Sequence, residues 1–211
     1  MKHTTTFALF ILFVSYLVSC NTDDATRITA GEYDSAMIYR EFAPPLRLQF
    51  DSAQTYRYGT DTIDINLDDV YDIVIAQRLP VNLTANDNYT DDNYPYTRLV
   101  LNNGVEVATK THNVPMPHDD RHVETWVDTL QINTPIDKNM DWMATNYFVN
   151  MWVVAPSNSF QGTTGTWYNI TNEERFVGIR IKMSSGYKYG WLKIRQNTRD
   201  NIEIVSSAIE K

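Results

Sequence analysis

Apolar and polar residues alternate with a period of two along most of the chain, the spacing of half-buried strands rather than of helices. The last third shows it best. Phe176-Val-Gly-Ile-Arg-Ile-Lys-Met183 alternates, Ser184-Ser-Gly186 turns the chain, and Tyr187-Lys-Tyr-Gly-Trp-Leu-Lys-Ile-Arg195 alternates back. Gly190 inside the second run marks a bulge or a close backbone approach. Residues 202–205 predict a last strand. Upstream, Asn103-Gly104 lies between the runs 98–102 and 105–107, the signature of a hairpin closed by a type I′ turn. Residues 122–132 and 146–154, rich in Trp, Val and Thr, predict further strands. Residues 36–39 and 46–50 read as two strands separated by Pro44-Pro45, which cannot donate to a ladder. Residues 80–96 and 111–121 are polar, turn-rich loops, and 135–143 suits one helical turn. About eleven short strands, with no alternating helices and no internal repeat, predict an all-β fold: a single antiparallel β-sandwich, jelly-roll-like.

One stretch interrupts the alternation with acid. Asp64, Asn66, Asp68 and Asp72 follow the spacing D-x-N-x-D-x-x-x-D, most of an EF-type calcium loop, here between two period-two runs instead of two helices. Calcium takes six to eight oxygens, and alternate residues of a tightly curled loop point inwards. Asp64, Asn66 and Asp68 then stand at ligand positions one, three and five, the Val70 carbonyl at seven and Asp72 at nine. Two positions depart from the pattern. Asp69 occupies the sixth, where Gly is usual, and Ile75 the twelfth, where a bidentate Glu is usual. The expectation is a calcium site, with a solvated acidic turn as the alternative.

The first residues have another purpose. A short basic start at Lys2 precedes a nearly unbroken apolar run from Phe7 to Val18, too short to span a bilayer and suited to a signal h-region. It ends Leu17-Val18-Ser19-Cys20, which resembles a bacterial lipobox, and Cys20 is the single cysteine of the chain. We therefore expect a lipoprotein signal peptide at 1–19, a lipidated tether at 20–30 starting at Cys20, and one β-sandwich domain at 31–211. Asn21-Thr22-Asp23-Asp24 resembles the surface-export signal of Bacteroidetes lipoproteins. The expected address is the outer membrane, lipid-anchored and facing outwards, with the membrane met only through the Cys20 lipid.

Charge narrows the partners. The chain has 18 basic and 26 acidic side chains, a formal net charge of −8, and removal of residues 1–19 takes away only Lys2 among them. That sign, with no basic patch interleaved with aromatics, argues against nucleic acid. The signatures of nucleophilic catalysis are missing: there is no G-x-S-x-G, and no thiol remains once Cys20 is lipidated. Glu106, Glu124, Glu173 and Glu174 are the carboxylates available to a glycosidase mechanism. His112, His118 and His122 cluster in sequence, but Pro115 and Pro117 oppose the helix that a zinc pair would use. Of the five tryptophans, Trp126, Trp152 and Trp191 fall in strand patterns and belong to the core. Trp142 and Trp167, beside Asn and Thr, are the candidates for stacking on a glycan or protein ligand.

Taken in order, the D-x-N-x-D loop, Gly165-Thr-Trp167, Phe176-Val-Gly-Ile-Arg180 and Tyr189-Gly-Trp191 resemble a group of uncharacterised secreted and lipid-anchored Bacteroidetes-type β-proteins with a C-terminal Y-G-W hairpin. That resemblance implies an extracytoplasmic β domain and carries no activity. The function expected is a surface-exposed lipoprotein whose calcium-stabilised sandwich serves as a binding or structural module. An enzyme acting on extracellular glycans is the rival class, and a subunit of a surface assembly is the third.

Overall fold

The computed structural model describes residues 27–50, 56–80, 95–114, 122–144, 148–156, 161–198 and 201–211. The signal peptide, Cys20, His118 and most of the 80–96 and 111–121 loops lie outside these residues. The described residues form strands, turns and bends, with no helix among them. At 135–143, where the composition suits a helical turn, a two-residue strand and a turn lead into a three-residue strand instead.

Two antiparallel sheets face one another. The first contains, in spatial order, β10 (Trp142–Ala144), β7 (Val105–Val114), β13 (Glu173–Met183), β14 (Gly186–Thr198), β15 (Asn201–Glu210) and β2 (Met37–Arg47), with β8 (His122–Val127) also paired to β7. The second runs β12 (Gln161–Thr164), β11 (Val149–Pro156), β6 (Tyr96–Leu101), β5 (Ile73–Pro80), β4 (Tyr56–Ile63) and β3 (Gln49–Phe50). A two-stranded piece, β1 (Ile28–Thr29) with β9 (Pro135–Ile136), completes the set. The architecture is the expected antiparallel sandwich.

The core follows from period two. Val177, Ile179 and Ile181 of β13 and Leu192 and Ile194 of β14 point into the space between the sheets. There they meet Ile73, Ile75 and Leu79 of β5 and Leu99 and Leu101 of β6. The opposite face of the seven-stranded sheet is apolar as well. Phe176, Tyr189, Trp191 and Ala208 on that side pack against Ala30, Leu130 and Ile136. Segment 28–37 and segment 128–142 therefore form a third layer. It is fastened by backbone bonds between Leu130 and Phe176 in both directions at 2.9 Å, and by the Trp191 Nε1–H donating to the Glu32 carbonyl at 3.0 Å. Among the described residues the six-stranded sheet has no such cover, and β6 alternates regularly between buried and half-buried positions.

Two turns differ from the sequence expectation. The runs on either side of Asn103-Gly104 do not pair with each other: β6 belongs to the six-stranded sheet and β7 to the seven-stranded one. Asn103-Gly104 is an arch that carries the chain from one sheet to the other, and only Gly104 takes a left-handed φ, 83°. A type I′ hairpin turn would need positive φ at both residues. The second difference is Pro44-Pro45, which does not split β2. The strand continues through the prolines, while its ladder with β15 skips from Glu41–Ser206 to Leu46–Ile204. An edge strand tolerates the lost donors.

Gly190 is the close approach its position suggests. A Cβ there would run into the Ala208 carbonyl oxygen and the Ile209 backbone. Gly190→Ala should cost about 1–3 kcal/mol of unfolding free energy through overpacking, measured by chemical denaturation. Ser185→Ala, in the adjacent turn, should stay within about 0.5 kcal/mol of wild type.

Candidate functional site

The acidic loop joins β4 to β5, and burial selects its orientation. Ile63 and Ile65 are buried, while Leu67, Val70 and Tyr71 stand more than half exposed at the tip. The backbone enters left-handed space at Leu67 (φ 60°) and Asp69 (φ 67°). Asp69 thus adopts, at the sixth position, a conformation usually left to Gly. The carboxylates hold this curl. Asp64 Oδ1 accepts from the Leu67 amide at 2.7 Å and the Asp68 amide at 3.3 Å, and its Oδ2 accepts from the Asp69 amide at 2.9 Å. Asp68 accepts from the Val70 amide at 2.9 Å and from Asn66 Nδ2 at 3.0 Å. Asp72 Oδ2 accepts from the Ile65 amide at 2.7 Å. The arch after β6 braces the loop from outside, with Asn102 Nδ2 donating to the Tyr71 carbonyl at 2.7 Å and the Asn102 amide to the Asp72 carbonyl at 2.8 Å.

Asp64, Asn66, Asp68, Val70 and Asp72 therefore share one loop, and their oxygen donors are of the kind a hard cation takes. Their carboxylates are nevertheless turned to amides. Among the described residues, no three His, Cys, Asp or Glu side chains form a group that could hold a metal ion. The fit lies in the backbone, which has the left-handed sixth position, and in Asp72. That carboxyl is 6 % exposed. Burial pushes its pKa up to about 6 against the hydrogen bonds from Ile65 and Asn66, and the nearby Asp68 and Asp64 charges push the same way. It is an anion in a place that favours a proton or a cation beside it.

The two tryptophans proposed for ligand stacking are packed instead. Trp167 is fully buried in the inter-sheet core. Trp142 lies half-buried against the third layer, its Nε1–H donating to the Asp137 carbonyl at 3.0 Å, with Arg180 4.7 Å from its ring and Tyr189 edge-on at 5.7 Å. Three of the four candidate glutamates are held by cations, and Glu124 stands opposite His112 in the β7–β8 ladder. Glu106 accepts from Arg180 Nε at 2.7 Å and from the Tyr187 hydroxyl at 2.8 Å. Glu173 pairs with Arg175. Glu174 meets Lys193 and Arg195, each at 2.6 Å. Burial raises the Glu174 pKa, but the bonds from Lys193 and Arg195 outweigh it, and the net shift is downward, the wrong direction for a general acid. His112 is exposed on β7.

A second region drew no notice in the sequence. On the outer face of the six-stranded sheet, Tyr58, Arg78 and Tyr96 stand in one row across β4, β5 and β6. Arg78 lies 5.3 Å from the Tyr58 ring. Arg98, two residues along β6, has its guanidinium 4.2 Å from the Tyr96 ring and 4.5 Å from Phe148. Tyr58 and Phe148 are exposed. The only sequence signal is Tyr96-x-Arg98, which any strand would place on one face.

In comparisons with known proteins, no family model, no curated protein and no solved structure matches this chain.

Asp72 gives the loop a pH signature. Its folded pKa of about 6 exceeds the ordinary 3.8. The stabilisation from its proton is complete below the unfolded value and is lost as pH rises through about 6. In EDTA, wild type should lose roughly 2–3 kcal/mol relative to Asp72→Asn between pH 4 and pH 7.5. Parallel stability curves for the two proteins would remove Asp72 as the cause.

Proposed function

We propose that this chain is an outward-facing, lipid-anchored outer-membrane protein whose β-sandwich is a binding module with a calcium-stabilised loop. The observation that carries the reading is the fastening of the N-terminal segment to one face. The Ala30 amide donates to the Thr134 carbonyl and the Asn133 amide to the Ala30 carbonyl, both at 2.9 Å. With Trp191 and Glu32 these bonds hold the start of the domain on the third layer. Seven residue steps separate Cys20 from Arg27, a reach of at most about 25 Å. A lipid on Cys20 would keep the third layer towards the membrane and leave the six-stranded sheet facing away from it.

The rival classes find less support. Glu106, Glu173 and Glu174, three of the four glutamates a glycosidase could use, are held by cations. Assembly by strand addition needs a long open edge, and the outermost strands β3, β10 and β12 have only two, three and four residues. Two longer outer strands remain among the described residues: β2, which contains Pro44-Pro45, and six-residue β8, paired to β7 alone. Short strands and edge prolines are ways natural sheets blunt their edges.

Two experiments test the proposal. Cys20→Ala should move the protein from the membrane fraction to the soluble one, and protease added to intact cells should degrade the wild-type domain. Full protection in intact cells would refute the outward orientation. For the loop, Asp64, Asp68 and Asp72, with the Asn66 side chain and the Val70 carbonyl, would hold the ion. At 10 mM calcium and a dissociation constant of roughly 10⁻⁴ to 10⁻³ M, the melting temperature should rise by about 3–10 °C over EDTA. Magnesium should shift it less, because it requires a small octahedral cage. An equal calcium shift in Asp68→Ala would reduce the loop to an acidic turn.

A further inference from the structure

Asn103-Gly104 is the one Asn-Gly pair in the chain, and the fold leaves its reactive atoms accessible. The Val105 amide donates to the Asn102 carbonyl at 3.1 Å, closing a turn over residues 102–105. Of its two central residues only Gly104 has a positive φ, 83°, the signature of a type II turn. Asn103 is exposed. Among the described residues, neither its side chain nor the Gly104 amide makes a hydrogen bond. The space around Gly104 is open too: the nearest atom to a Cβ placed there is the Lys182 carbonyl oxygen, at 3.7 Å. Asn102, by contrast, is occupied. Its side chain donates to the Tyr71 carbonyl at 2.7 Å and accepts from the Asn103 amide at 2.8 Å.

We propose that Asn103 is a site of spontaneous deamidation, and that conversion there ages the protein by untying the arch between the sheets. The Gly104 nitrogen, its proton taken by hydroxide, attacks Asn103 Cγ. The Cγ–Nδ2 bond breaks, Nδ2 leaves as ammonia with a proton from water, and a succinimide ring closes. One water then opens the ring. Attack at Cγ gives an aspartyl residue with the main chain restored. Attack at the main-chain carbonyl carbon gives an isoaspartyl residue, whose main chain runs through Cβ and Cγ and is longer by one carbon. The sequence consumes water, releases ammonia and neither oxidises nor reduces anything. Glycine at 104 gives the access, because it puts no side chain beside the attacking nitrogen. Exposed Asn133, Asn139 and Asn172 are followed by Thr134, Met140 and Glu173, which shield it. The longer isoaspartyl chain cannot keep the 102–105 closure, and the Gly104 carbonyl that accepts from the Lys182 amide at 2.8 Å moves with it. Both products also put a new negative charge one residue from Asn102, whose amide and side chain brace the Asp72 and Tyr71 carbonyls of the acidic loop. The inference goes beyond the binding-module reading and depends on neither calcium nor the anchor.

The test is ageing of the full-length protein, purified in detergent, at 37 °C and at pH 8.5 or pH 5.5, followed by tryptic peptide mass and fragmentation. Cleavage after Arg98 and Lys110 isolates residues 99–110. At pH 8.5 that peptide should gain the mass of oxygen replacing NH, with isoaspartate located at position 103. The peptides holding Asn133, Asn139 and Asn172 should stay unchanged. The gain should be slower at pH 5.5, because the attacking amide must lose its proton. Isoaspartyl-rich protein should melt about 2–4 °C lower, the loss of one hydrogen bond in a domain of this size. Asn103→Gln should show neither change, because its ring would have six members and closes far more slowly. Asn103→Ser, which has no side-chain amide, gives the same comparison if Asn103→Gln unfolds. No conversion in the native protein, conversion confined to urea-unfolded protein, equal conversion at Asn102 or at the other exposed asparagines, or the same gain in the two variants would each overturn the site. Full conversion with an unchanged melting temperature would overturn its effect on the arch.

Discussion

Consecutive pairs from Glu173–Gln196 to Met183–Gly186 lock β13 to β14 in one unbroken register, and both faces of this hairpin are covered. Val177, Ile179, Leu192 and Ile194 fill the space between the sheets, while Phe176, Tyr189 and Trp191 lie under the third layer. A strand buried on both sides has no solvent face for its polar residues, so they go to the rim in charge-balanced sets. Arg180 meets Glu106. Lys193 and Arg195 share Glu174. Glu203, 2 % exposed, sits between Arg47 and Arg195. Each set is weak evidence for stability, yet removing one member would leave a buried charge uncompensated. Those pairings fix Glu106, Glu174 and Glu203 against the cations beside them.

The sheet class was legible because period two survives wherever one face is wet. The strand positions of β4, β5, β13 and β14, the acidic loop between β4 and β5, and the close approach at Gly190 could all be read from residue order. The third layer could not. Trp142 and Trp167 look like loop tryptophans, since nothing local signals that segment 128–142 folds back on the sheet or that Trp167 closes the core. The arch at Asn103-Gly104 shows a deeper limit. Leu99, Leu101, Val105 and Val107 all face the inter-sheet core. A hairpin within one sheet and an arch between two sheets give the same alternation, and only the turn dihedrals separate them. The prolines of β2 were read as a break because sequence does not say which strand lies at an edge.

The acidic loop balances two tendencies. Its curl needs acceptors for successive amides, and short carboxylates at 64, 68 and 72 supply them without ordered solvent. The same clustering sets like charges close together, with Asp72 in a buried position that raises its pKa. The hydrogen bonds explain how the loop holds its shape as drawn, with each carboxylate serving amides of its own loop. They leave the electrostatic cost in place, because an amide donor offsets only part of a neighbouring full charge. A cation would relieve that cost by drawing the carboxylates inward, and a proton on Asp72 relieves part of it at lower pH. The amide bonds give the loop a defined shape, and the buried Asp72 makes that shape more stable when its carboxyl is protonated.

The two sheets divide labour by what covers them. On the covered sheet, Arg175, Arg180, Lys193 and Arg195 pair with glutamates, because a charge near a buried layer must be matched where it stands. On the open sheet, Arg98 lies against the Tyr96 and Phe148 rings, a contact that restrains a guanidinium without neutralising it. Ring stacking leaves the charge to act outwards. With segment 28–37 fixed to the covered side, Tyr58, Arg98 and Phe148 are on the opposite side of the sandwich. Burial of one sheet on both faces therefore accounts for where its paired charges sit and for the docking of segment 28–37 against it.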